Sequence, residues 1–300
     1  MTSVNRIEES VPRRTVDTEI NYLAPGSFIN RRFVAPGVEV NTGKYQARRV
    51  TISDGRQIRD RFSLDTNGFA LFEHKSAVND FMDKDEVNAI YPGEVSELVK
   101  RLTGAGVVIP LGWMVRTSGD LSERRQKVVG YTHQGGIQPP AGEAHVDFTP
   151  ESAEARARDA YRRLFPEGKP YSRFIASSLW RAFSPPPQDW PLAVCDGSSV
   201  AAGEGTPNAL VVVDELPDRE AMLGELPDEK AAGHASVFHY NPNHRWWYFS
   251  GMTRDEVMLL KFYDSDRGRA WRVPHTAFHD PSFPDARIRE SIEFRTFAYF

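Results

Sequence analysis

From Arg173 onward the chain reads as short β-like runs, Arg173–Phe183, Ala209–Val213, Ser236–Tyr240, Arg245–Ser250 and Val257–Tyr263, separated by stretches rich in Gly, Pro, Asn, Asp and Ser. Runs of this length and β-branched or aromatic content cannot each bury a face alone, so they must pair into sheets. Helical patterning is concentrated in the first half. Val87, Ile90, Val95, Leu98, Val99 and Leu102 build a segment that stops at Gly104, and Thr149-Pro150-Glu151 begins a second helix that continues to about Leu164. Two earlier β-like runs lie within Val38–Asp54 and another covers Val107–Val115, while Asn241-Pro242-Asn243 has the chemistry of a hairpin turn. The expectation is a mainly β fold with supporting helices, a jelly roll of the double-stranded β-helix, cupin-like kind. We expect a flexible tail over residues 1–15 and a single domain over 16–300.

A formal net charge of -4 and a pI near 6.1, with basic and acidic residues interspersed, leave no basic stripe for nucleic acid. No apolar stretch is long enough to span a bilayer, and Met1 to Arg14 does not resemble a signal peptide; a cytoplasmic location is expected. Cys195 is the only cysteine, so an intrachain disulfide is excluded, and Val194-Cys195-Asp196 supplies no base to activate a thiol.

Chemistry concentrates at His145-Val146-Asp147, beside the second helix, and at His275, 130 residues later. Of the eight histidines only His145 is followed two residues on by a carboxylate. Two imidazoles and one carboxylate can occupy one triangular face of Fe(II) and leave the opposite face open for a chelating co-substrate and oxygen. His275 lies between Pro274 and Pro281, which makes the segment strand and turn rather than a zinc helix with His279. His239 is the competing third ligand. In an extended C-terminal strand Arg287, Arg289, Ser291, Glu293 and Arg295 share one face, so Arg289 and Ser291 can hold a ligand carboxylate together; a solvated charged face, with Arg295 paired to Glu293, is the alternative. The polar stretch Thr117–Ala144 suits a lid over the site, with a disordered surface insertion as the alternative. Trp180, Arg181 and Trp247 are candidate substrate contacts, with a packing role as the alternative reading for aromatics of this kind.

Several blocks together, Ile20-Asn21-Tyr22-Leu23, Leu64-Asp65-x-x-Gly68-Phe69, His145-Val146-Asp147, Trp180-Arg181, Pro191-Leu192-Ala193, Trp247-Tyr248-Phe249, Tyr263-Asp264-Ser265, Pro274-His275-Thr276-Ala277-Phe278 and Arg289-Glu290-Ser291-Ile292-Glu293, resemble the Fe(II)/2-oxoglutarate-dependent hydroxylase/desaturase family, which includes fungal gibberellin desaturase, the AsaB-type oxygenases and CmcJ. The resemblance covers nearly the whole chain. It implies a double-stranded β-helix, an iron site at His145, Asp147 and His275, and a 2-oxoglutarate clamp at Arg289 assisted by Ser291. It also implies O2 as oxidant and hydroxylation, desaturation or ring formation on a small natural product, with a homodimer or a biosynthetic partner enzyme as possible company. Where many members have Asn-x-Trp-Arg, this chain has Ser178-Leu179-Trp180-Arg181. Two rivals remain open from the residues alone: a redox-neutral metal-dependent isomerase or lyase of the same barrel class, and a non-catalytic binding module.

Overall fold

The structure, a computed structural model, describes residues 14–35, 38–120, 137–168, 170–226, 231 and 233–300. In chain order its elements are β1 (Thr15–Leu23), β2 (Arg31–Ala35), β3 (Val38–Asn41), β4 (Tyr45–Asp54), β5 (Phe69–Glu73), α1 (Lys84–Thr103), β6 (Val107–Thr117), β7 (Ile137–Gln138), β8 (His145–Val146), α2 (Pro150–Leu164), β9 (Phe174–Ala182), β10 (Leu192–Cys195), β11 (Thr206–Val212), α3 (Arg219–Leu223), β12 (Gly233–Val237), β13 (Trp246–Tyr248), β14 (Glu256–Asp264), β15 (His275–Ala277) and β16 (Glu290–Tyr299).

The strands form two sheets: ten strands in the order β1-β4-β13-β10-β15-β8-β12-β11-β2-β3, and six in the order β5-β14-β9-β16-β6-β7. This is the jelly roll that the strand pattern predicts. Strands β9, β14 and β16 at the centre of the small sheet are buried on both faces, and period two sorts their residues. Met258, Leu260 and Phe262 face the core between the sheets, while Val257 and Leu259 face a second core. That second core is covered by α1 through Val87, Tyr91, Val95, Leu98 and Val99. Asp83 caps the helix by accepting from the amides of Asp85 and Glu86, and Gly104 ends it at φ 76°, a left-handed conformation that a Cβ would strain. Helix α2 starts as its sequence signature requires: the Thr149 hydroxyl accepts from the Ser152 amide, Ser152 answers at the Thr149 amide, and Pro150 occupies the first turn. Ala153, Ala157 and Tyr161 then seal one end of the inter-sheet core.

Two expectations change. Thr15, expected to end a tail, belongs to β1; residues 1–13 lie outside the described residues. Asn241-Pro242-Asn243 does form a turn, but β12 and β13 do not make a hairpin, because β10, β15 and β8 lie between them in the large sheet. Most of the expected lid, residues 121–136, lies outside the described residues. No helix among the described residues is long and apolar enough to cross a membrane.

Candidate metal centre and co-substrate cavity

β8 and β15 are neighbours in the large sheet, with His145 directly opposite His275. This pairing closes the 130-residue gap. The rings stand 4.3 Å apart between centroids at 47°, and Asp147, just past the end of β8, brings Oδ1 to 3.4 Å from His145 Nε2. One ligand atom from each of His145, Asp147 and His275 lies within 4.8 Å of the other two.

The tautomers suit metal binding. His145 Nδ1 lies 2.8 Å from the Glu143 carbonyl and His275 Nδ1 lies 3.2 Å from the Val273 carbonyl. A carbonyl only accepts, so each Nδ1 carries a proton; in the neutral ring each Nε2 presents its lone pair, and His145 Nε2 donates to Asp147 only when the ring is protonated. Phe262 stacks on His275 at 5.3 Å and 15°, fixing the ring plane. Burial pushes His275 down to about 3, so it stays neutral. Burial also acts to lower His145, but the hydrogen bond and charge of Asp147 outweigh it and raise its pKa. Asp147 is held well below the usual carboxylate range because, against burial, Arg295 places Nε 2.8 Å from Oδ2 and His145 adds a hydrogen bond. Arg295 also binds Glu293 at 2.7 Å, and Glu293 accepts from Arg116 at 3.3 Å. This chain of buried charges leaves Asp147 Oδ1 turned toward the two histidines.

A cavity of about 370 Å³ adjoins the triad, with Trp180, Leu192, Thr276, Ser178 and Arg289 in its wall. Arg289 is 1 % exposed. Its Nη1 donates to the Trp190 carbonyl at 2.9 Å, its Cζ sits 5.8 Å from the Trp180 ring centroid, and its Nε has no partner. Among the described residues no carboxylate is paired with the guanidinium, and burial beside Arg116 lowers its pKa to about 9. Its backbone is anchored, since the Arg289 amide donates to Ser118 Oγ at 2.8 Å and Asp189 Oδ1 at 2.9 Å. A buried cation short of hydrogen-bond acceptors calls for an anionic ligand. Ser178 Oγ, also buried and without a partner, faces the same cavity.

The other sequence candidates separate. Trp180 lines the cavity, but Arg181, its neighbour, points to the opposite face of β9 and is hydrogen-bonded to Tyr91, His74 and the Arg254 carbonyl, away from the cavity wall. Trp247 packs edge-on against Phe62 at 5.0 Å in the core and is absent from the cavity wall. Ser291 turns its hydroxyl to the Arg116 carbonyl at 3.5 Å and is absent from the cavity wall, whereas Ser178 lines it. His239 is exposed with Nδ1 on the Leu23 carbonyl, and His279 is exposed against Trp190. Cys195 is buried and its thiol is pushed up to about 12 by burial. Arg116, and the contact of Arg295 with Asp147, escaped the sequence reading. The signal for Arg116 was a lone cation at the end of the apolar run Val107–Val115, and that for Arg295 was its place on Arg289's strand face.

A paired-histidine and carboxylate triad at the mouth of a jelly roll, with a buried arginine across the cavity, defines the class of non-haem iron oxygenases that use a 2-oxo acid. A family model described as "Oxidoreductase/YMDC permease-like domain" matches residues 20–299. The hydroxylase/desaturase efuI of Hormonema carpetanum is 33% identical over 304 residues, covering 97% of each chain. The hydroxylase/desaturase CTB9 of Cercospora beticola is 32% identical over 299 residues, covering 95% of this chain and 86% of that protein. The solved structure of the iron and alpha-ketoglutarate-dependent endoperoxidase NvfI superposes with a TM-score of 0.74 at 28% identity, covering 95% of this chain and 98% of that one. The chain belongs to the Fe(II)/2-oxoglutarate-dependent hydroxylase/desaturase family. Membership sets aside the redox-neutral isomerase and the non-catalytic module.

Proposed function

We propose that the protein oxidises a small secondary metabolite, with His145, Asp147 and His275 holding Fe(II) and Arg289 binding the remote carboxylate of 2-oxoglutarate. The observation that carries this reading is a buried, incompletely bonded Arg289 in the same cavity as three ligand atoms within 4.8 Å of one another. When bound, iron and 2-oxoglutarate supply the oxidising chemistry, with O2 consumed and the co-substrate released as succinate and CO2. The protein's own part is placement. His145 and His275 offer Nε2, Arg295 fixes Asp147, and Arg289 with Ser178 orients the co-substrate so that its 2-oxo acid end points at the metal. Trp180, Leu192 and Phe262 line the cavity with apolar surface, which limits water around the reacting centre.

The test is anaerobic addition of Fe(II) and then 2-oxoglutarate to metal-free protein. Chelation of Fe(II) by the 2-oxo acid produces a visible charge-transfer band, expected at one co-substrate per chain. Tight Zn²⁺ binding with no such band would overturn the reading.

A further inference from the structure

On the Asp147 side of the triad lies a second, larger cleft of about 720 Å³, and His145 and Arg116 line both spaces. The cleft therefore reaches the metal position beside His145 and Asp147, and Arg289 is not in its wall. Asn208 and Leu210 of β11 and Ala235 and Val237 of β12 form part of its wall, each pair on one face of its strand. The same wall carries four guanidinium groups, Arg32 on β2 beside Leu210, Arg116, Arg156 and Arg295, with the carboxylates Glu143 and Asp147; Glu293 serves Arg116 and Arg295 from behind. Asp147 is already committed to Arg295 and the triad. Arg32 is steadied by Glu39 at 2.7 Å, and Arg156 lies over the Phe148 ring at 6.0 Å.

Asn208 supplies the second observation. It is 5 % exposed, its Nδ2 reaches only the Tyr45 hydroxyl at 3.4 Å, and its Oδ1 has no partner. Whichever way the amide is turned, one polar atom faces the cleft without a protein group to meet it. A buried polar atom in that condition is stable only when a ligand or water completes it.

Building on the oxygenase reading, we propose that this cleft holds the organic substrate as a carboxylate anion, gripped by Arg32 and Arg156, with a hydroxyl group on Asn208 and an apolar frame against Phe148, Leu210 and Val237. Two anions are then held near the metal in separate spaces, one by Arg289 and one by Arg32 and Arg156, and the co-substrate cannot be mistaken for the substrate. The bulk of the cleft suits a ring system rather than a second 2-oxoglutarate.

The experiment uses anaerobic enzyme loaded with Fe(II) and saturated with 2-oxoglutarate, with three matched probes followed by equilibrium dialysis: 6-hydroxy-2-naphthoate, its methyl ester, and 2-naphthoate. The hydroxy acid should bind about tenfold or more tighter than the ester, and several-fold tighter than 2-naphthoate. Arg32→Met and Arg156→Met should each remove most of the preference for the acid, and Asn208→Ala should make the two acids equal. None should alter the 2-oxoglutarate charge-transfer band. Equal binding of acid and ester by the unaltered enzyme overturns the proposal without any variant, as does an acid preference that survives both arginine substitutions. Displacement of 2-oxoglutarate by the acid also overturns it, by putting the anion in the Arg289 cavity. Failure of the band to form before any probe is added overturns the oxygenase reading and this inference with it; a normal band with no acid preference overturns the inference alone.

Discussion

Arg181 and Arg289 head the bulkiest fully buried side chains, and they stand on opposite faces of one sheet. Arg181, on β9 under α1, donates to the Tyr91 hydroxyl at 3.2 Å, the His74 carbonyl at 2.9 Å, His74 Nδ1 at 2.7 Å and the Arg254 carbonyl, and lies over the rings of Phe81 and Tyr91. Arg289, facing the space between the sheets, has one acceptor for its guanidinium among the described residues, the Trp190 carbonyl. Both cations are removed from water; only one is satisfied. The protein completes the structural arginine, whereas the other is left for a ligand to complete. Burial alone therefore does not mark a functional charge, and the census of its partners does.

The comparison breaks first at the metal. His275→Ala or Asp147→Ala should abolish the iron-dependent charge-transfer band and turnover outright, with the fold kept, because each removes a ligand that no neighbouring side chain replaces. His239→Ala should retain both. A band that survives His275→Ala and vanishes in His239→Ala would move the centre elsewhere.

The two arginines themselves give the next test. Arg289→Met should weaken 2-oxoglutarate binding by on the order of 100-fold or more, since a charge-assisted pair is lost. Its stability should hold or rise, because a buried cation without a counter-charge is costly. Arg181→Met should do the reverse. It strands two carbonyls, an imidazole nitrogen and a phenol, so denaturant unfolding should show a loss of about 3 kcal/mol or more, with co-substrate affinity unchanged in the folded fraction. If Arg289→Met is the destabilised variant, the division between structural and ligand-binding charge fails.

Arg295 lies between these extremes, as a cation satisfied by the site's own carboxylates. Arg295→Met should lower Fe(II) affinity by about 10-fold, the usual scale for groups that orient a ligand. The effect should appear in metal titration with no change in the 2-oxoglutarate requirement once iron is saturating; a purely structural role would shift unfolding and leave the titration alone.

How much of this was legible follows from the range of each signal. Local signals carried through: the Thr149-Pro150 helix start and the Gly104 stop are where the side chains require them. The triad was readable because His-x-Asp is local and the prolines around His275 exclude a helix. Partner choice between strands was not, since β12 and β13 are joined by a turn yet separated by three strands that arrive from elsewhere in the chain. Arg181 faces away from the cavity that Trp180 lines, as period two requires, but both faces of β9 are buried, so the sequence pattern could not say which face held the cavity. Ser291 failed for the opposite reason. It shares Arg289's strand face, but the carbonyl of Arg116 on the paired strand captures its hydroxyl.

That last distinction gives the smallest and most discriminating effect. Ser178 Oγ is buried, unpartnered and in the wall of the Arg289 cavity, at the position where the family pattern has an amide. If it completes the co-substrate's hydrogen bonds, Ser178→Ala should raise the 2-oxoglutarate dissociation constant by roughly 2- to 10-fold, the scale of one neutral hydrogen bond. Ser291→Ala should change it by less than that, because its hydroxyl serves a backbone carbonyl and not the cavity. Isothermal titration of the iron-loaded protein resolves the two. A Ser291 effect larger than the Ser178 effect would mean that the carboxylate sits deeper along β16 than the Arg289 side chain indicates. Ser178→Asn then sharpens the point: the longer amide can reach the ligand only by narrowing a cavity of about 370 Å³. Affinity restored by Asn but not by Thr would assign the role to hydrogen bonding rather than to filled volume.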